Sequence, residues 1–112
     1  MSVTAKNLIA SKHAAGSATT EYTAAAATRV IIDKFTATNI TGGAITLTIY
    51  LVPSGGSAGA SNTIISALSI AAGATTDLTQ LQNQILNSGD FVSVFASAAT
   101  SIVIRMSGRE VV

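Results

Sequence analysis

The sequence predicts an all-β fold: an antiparallel, jelly-roll-like β-sandwich with one short helix around residues 78–86. Three observations point there. Apolar and polar residues alternate with a period of two along several segments, as they do in half-buried strands. Those segments are rich in Ile, Val and Thr, whose branched Cβ favours extended backbone. Turn signals separate them at short intervals, the spacing of sandwiches and barrels.

The elements follow in chain order. Thr4 to Ala10 and Thr20 to Ala24 are weak strand candidates, and Ala14 to Thr28 develops no amphipathic face. Residues 1–28 are therefore expected as an N-terminal arm with weak strands, and residues 29–112 as the sandwich core of a single domain. Arg29 to Asn39 reads as a strand, with Val30 and Ile32 opposite Ile31, Asp33 and Phe35. From Ala44 to Val52, Ile45, Leu47, Ile49 and Leu51 alternate with Thr46, Thr48 and Tyr50. Gly42-Gly43 lies between these strands and can supply positive φ, so a long antiparallel hairpin is expected. Pro53 to Asn62 is a small-residue loop, expected to be mobile or ordered by a partner. Thr63 to Ile70 puts Ile64, Ser66, Leu68 and Ile70 on one face. Phe91 to Ala96 and Ser101 to Ser107 form a second hairpin candidate around Ser97 to Thr100, with Arg105 facing solvent or a neighbour.

One segment departs from this pattern. Leu78, Leu81 and Ile85 fall at the i, i+3, i+7 spacing of a helix face. Asp77 can cap the first turn, and Gln80 is placed to complete a capping box. Gly89 can end the segment in a left-handed conformation. A surface helix of about two turns is the expectation.

Composition narrows the function. Six basic against five acidic side chains leave a net charge of +1, too weak a field to draw nucleic acid or an anionic membrane. The absence of Cys excludes disulfides, thiolate metal sites and a Cys nucleophile. No apolar run reaches the roughly 18 residues of a membrane-spanning helix. Met1 to Ala10 lacks the apolar core of a signal peptide, so use without secretion is expected.

No constellation for catalysis emerges, and no catalytic, cofactor-binding or metal-ligating residue is assigned; the chain reads as a non-enzyme. His13, the lone histidine, reads as an exposed structural side chain. Glu21, Asp33, Asp77, Asp90 and Glu110 are scattered singly, without the oxygen cluster of a calcium loop. Asp77 reads as a helix cap and Asp90 as a turn former. Asp33 shares a predicted face with Ile31 and Phe35: either that face is exposed, or Asp33 is paired, with Arg29 or Arg105 as partner. Gly55 to Gly59 lacks the Gly-Lys-Ser/Thr of a phosphate loop. Only 10% of residues are charged, far below the 25–35% or so common on soluble surfaces, so Ala, Thr and Ser must face the solvent and self-association is expected.

Lys34 to Gly108 resembles the small structural proteins of tailed bacteriophages. The resemblance lies in FTATNITGGAITLTIYLVPSGGSAGASNTIISALSIAAG and ILNSGDFVSVFASAATSIVIRMSG, with a TN-TG turn, a YLVPSGG strand end, an SGD turn and a closing SG strand. It implies a virion component assembled in the host bacterial cytoplasm, foremost a capsid decoration (cement) protein whose partner is the major capsid protein or another virion protein. A tail, head–tail adaptor or fibre-attachment protein is the alternative, and a carbohydrate-binding β-sandwich module a third. The resemblance transfers no site residue. Expected contact elements are the loop Pro53 to Asn62, the arm Met1 to Thr20 and the tail Arg109 to Val112, whose Val111 and Val112 are apolar at a chain end. The sugar reading would draw on Tyr22, Tyr50, Phe35, Phe91 and Phe95, of which Phe91 and Phe95 are expected in the core.

Overall fold

A computed structural model describes residues 2–112. Nine strands form two antiparallel sheets: β1 (Val3–His13), β2 (Thr19–Thr23), β3 (Arg29–Asn39), β4 (Ile45–Val52), β5 (Thr63–Ile70), β6 (Thr75–Asp77), β7 (Ile85–Leu86), β8 (Phe91–Ala96) and β9 (Ile102–Val111). The first sheet runs β1-β9-β3-β6, with β7 also pairing β3; the second runs β2-β8-β4-β5. The chain changes sheet after β1, β2, β3, β5, β7 and β8, and only β4 to β5 and β6 to β7 stay within one. Four strands per layer in this order is a jelly roll, with the short β6 and β7 sharing one edge position.

Both expected hairpins are corrected by this topology. β3 pairs β9, β6 and β7, while β4 pairs β5 and β8. Period-two alternation fixes which face a residue uses but says nothing about which strand lies beside it. The β3–β4 connection turns a corner between sheets. Buried Asn39 holds that corner: its amide nitrogen donates to the carbonyls of Gly43 (2.8 Å) and Ile70 (2.9 Å), and its oxygen accepts from Thr41 N–H (2.9 Å) and Oγ (2.7 Å). Gly42 and Gly43 do not take positive φ. The one long hairpin joins β4 to β5.

The expected helix is corrected as well. Only a 3-10 turn, Thr79–Leu81, forms, followed by β7. Leu78, Leu81 and Leu86 are buried while Ile85 is exposed, so the buried set does not follow one helical face. Asn83 takes positive φ and donates its N–H to the Ile32 carbonyl (2.7 Å), and Ile32 N–H donates to Gln84 (3.0 Å). Pairing with the edge of β3 therefore displaces the intrahelical bonds. Asp77 caps nothing and lies 3.6 Å from Lys34, whereas Gly89 does adopt positive φ.

Register shifts interrupt β1, β2, β3 and β5, and those in β3 and β5 overturn expected faces. In β3 the register shifts between Ile32 and Lys34, so Val30 and Ile32, then Phe35 and Ala37, face the core while Asp33 faces out. The expected shared face of Ile31, Asp33 and Phe35 does not exist. In β5 the register shifts around Ala67, which takes positive φ and donates to Thr48 Oγ (3.1 Å). Ile65, not Ile64, consequently points inward. Such a bulge on an edge strand also hinders pairing with another sheet.

The core lies between the layers, built from β3, β4, β8 and β9 and sealed by Leu78, Leu81 and Leu86. Residues 2–28 take part in it: Leu8, Ile9, Ala14 and Ala24 are buried, and β1 pairs β9 from Val3 to His13. Val92, Val94 and Ala96 take the inward parity of β8. Phe91 and Phe95 therefore project outward, a correction to their expected place in the core.

Candidate functional site

The expected contact elements fall at different places on the sandwich. The loop 53–62 is braced from within: Gly56 N–H donates to Pro53 (2.9 Å), Asn62 Nδ2 donates to Ser57 (2.9 Å), and Asn62 Oδ1 accepts from Gly59 N–H (3.0 Å). Within the arm, Val3–His13 is the edge strand β1, and Met1 lies outside the described residues. The tail residue Val111 closes β9, and Val112 exchanges two backbone bonds with Ser2 (3.0 and 2.9 Å) while the residue stays 61% exposed. Beside it opens a depression of about 540 Å³ lined by Ala27, Thr28, Arg29, Asn87, Ser88, Val111 and Val112.

Ion pairs close one side of the sandwich. Lys12 of β1 reaches Glu21 of β2 at 2.6 Å, and the Glu21 side chain is only 2% exposed. Glu110 of β9 accepts from Tyr22 Oη of β2 (2.8 Å) and from Lys6 of β1 (3.3 Å). These contacts link the two sheets where no backbone ladder does. Burial, and then the bond to the Glu110 carboxylate, push the Tyr22 phenol well above its ordinary pKa.

Asp33 is paired, but with Arg109, which donates through Nε and Nη2 at 2.9–3.1 Å in a fork geometry. Neither expected partner, Arg29 or Arg105, is used. The bulge explains the difference, because it turns Asp33 onto the outer face where Arg109 lies. Asp33 raises the Arg109 pKa further through that bond. Asp90 accepts from the N–H groups of Ser54 and Asn87 (both 3.0 Å), as a turn former does. His13 is exposed at the end of β1. Among the described residues, no group of three His, Cys, Asp or Glu is placed to hold a metal ion.

Cross-strand partners share a face, so the register assigns each side chain to a surface. Arg29, Lys34, Arg105 and Arg109 lie on the outer face of the first sheet with Asp33 and Asp77, four bases against two acids. The outward positions of the second sheet carry none of the chain's charges. They present Thr46 and Ser69 beside Tyr50 and Phe95, whose rings stack at 6.2 Å and 24°, while Thr48 and Ser93 on the same side are buried. The alternation of β4 already places Thr46, Thr48 and Tyr50 on one face; the division itself was missed because it depends on which strands lie side by side and on the bulges of β3 and β5.

Layers and strand order define a jelly-roll β-sandwich with two unlike outer faces. Comparison with solved structures finds the same fold in a chain from the structure of infectious bursal disease virus, Gx strain. The match has a TM-score of 0.58 at 15% sequence identity and covers 97% of this chain. It takes in 32% of the viral chain, so this chain spans about a third of that protein's length. No known protein family matches the sequence. No curated protein matches it either.

Proposed function

We propose that this protein is a non-enzymatic structural component of a virus particle, and within that class a bacteriophage capsid decoration (cement) protein. The observation that carries the reading is the jelly-roll order running through the described chain, 97% of which aligns with a third of a chain from a virus structure. The resemblance of Lys34 to Gly108 to small tailed-phage structural proteins supplies the phage assignment. The sparse charge agrees with a molecule that works packed against neighbours.

The mechanism is burial by many copies. Each copy, laid across a junction between capsid subunits, adds a modest contact, and multiplicity makes the sum large. Its partner is the major capsid protein or another virion protein, with self-association among neighbouring copies. Its location is the virion, assembled in the host bacterial cytoplasm. Val111→Asp with Val112→Asp places charge on the exposed chain end and is expected to lower particle occupancy while leaving the monomer folded. Unchanged occupancy removes the tail from the contact.

Immuno-electron microscopy of the source particles tests the reading. Label over the whole shell is expected. Label at one vertex or along the tail would move the protein to the tail, adaptor or fibre-attachment role. A carbohydrate-binding module is the second reading, favoured by the stacked Tyr50–Phe95 pair among hydroxyls on an uncharged face. A glycan array on which the protein binds nothing discards it.

A further inference from the structure

Two rows cross the outer face of the first sheet near the chain ends. Val3, Val111 and Arg29 stand side by side on β1, β9 and β3; one pleat further, Ala5, Arg109, Ile31 and Ile85 do the same across β1, β9, β3 and β7. Val3 and Ile85 are each 57% exposed. Apolar side chains thus flank two guanidinium groups, and the two groups differ. Arg109 is neutralised by Asp33, whereas Arg29 has no carboxylate side chain within 4.0 Å among the described residues. The depression beside Arg29 is open to receive a side chain.

We propose that this face docks a different protein, one that presents a carboxylate set among apolar side chains, with Arg29 receiving the carboxylate. Charge complementarity sets the partner's sign, and the apolar rows demand a surface that covers them rather than a small anion. A second copy is a poor source of that carboxylate. Glu21, Asp33, Asp77 and Glu110 are held by Lys12, Arg109, Lys34 and Lys6, and Asp90 by two backbone N–H groups. A nucleic acid would need several free cations in a row; here only Arg29 and Arg105 lack a carboxylate partner on this face, and Arg29 stands among aliphatic side chains. The inference goes beyond the virion reading and does not depend on it.

The test uses the full folded chain as bait for a displayed library of random twelve-residue peptides. Recovered peptides are expected to combine Asp or Glu with Leu, Ile, Val or aromatic residues. Their affinity should fall about 10- to 100-fold on Arg29→Gln, the range for losing a charge-assisted contact, and also on Ile85→Ser. Thr46→Ala on the opposite face should leave it unchanged. Both test positions are exposed, and circular dichroism checks that the variants stay folded. Peptides without acidic residues, binding indifferent to Arg29→Gln, or no enrichment would each overturn the proposal. A wild-type dimer in sedimentation that the same substitutions dissociate would overturn it too, by giving the face to a second copy.

Discussion

Gly108 sits in β9 opposite the β3 bulge, and replacing it with Ala tests whether that bulge fixes the register of the first sheet. An added Cβ would collide with the Ile31 carbonyl oxygen and come within 2.8 Å of Leu8 Cδ1. The leucine methyl can rotate away. The carbonyl cannot, because Ile31 is paired to Arg109 on one side and Ile85 on the other. An ordinary C···O approach is about 3.3 Å, so the strand must yield by roughly an ångström. Overpacking costs about 1–3 kcal/mol, and moving backbone belongs at the top of that range. Ala also restricts the unfolded chain, which returns about 0.4–1 kcal/mol. The net expectation is about 2–3 kcal/mol of destabilisation, or a Tm lower by roughly 10 °C for a chain of this size. Gly43→Ala is the control, since nothing lies within 4 Å of its added Cβ; it should stay within about 0.5 kcal/mol of wild type. Urea unfolding followed by circular dichroism measures both. If Gly108→Ala matches Gly43→Ala, the close approach does not constrain the fold and the reasoning fails.

Asn39→Ala removes four hydrogen bonds at the corner between sheets and strands the Ile70 carbonyl; a loss of about 3 kcal/mol or more is expected in the same urea assay. Leu81→Ala should cost about 2–5 kcal/mol, because the side chain is fully buried although it stands on a single 3-10 turn. For Tyr22 the folded pKa lies above the unfolded value of 10.0. Its stabilisation is thus complete below pH 10 and falls away as pH rises above it. Tyr22→Phe should lose stability at pH 8 and show a shallower decline between pH 9 and 11; an unchanged alkaline slope would refute the assignment.

The extended segments were largely legible from branched Cβ atoms and alternation, and β3, β5 and β8 begin and end where the sequence places them. Their partners were not legible, because Ile45 to Val52 alternates identically whether its neighbour is β3 or β8. The false helix arose from three apolar spacings that a turn plus a two-residue strand also satisfy. For Asp33 the alternation leaves an exposed face or a partner open; the structure combines both, and the bulge that turns it outward to Arg109 leaves no mark in a pattern of period two. The apolar surroundings of Arg29 and the uncharged opposite face are likewise properties of register. They became visible only once cross-strand rows were known.

The backbone bonds between Ser2 and Val112 have a mechanical consequence. They bring both ends of the described chain to one end of adjacent antiparallel strands. Tension applied between those ends opens the β1–β9 ladder one rung at a time, as a zip opens, rather than shearing all rungs together. Load transmitted across the broad faces meets many contacts at once. The domain is thus compliant when pulled by its termini and stiff when gripped by its sheets.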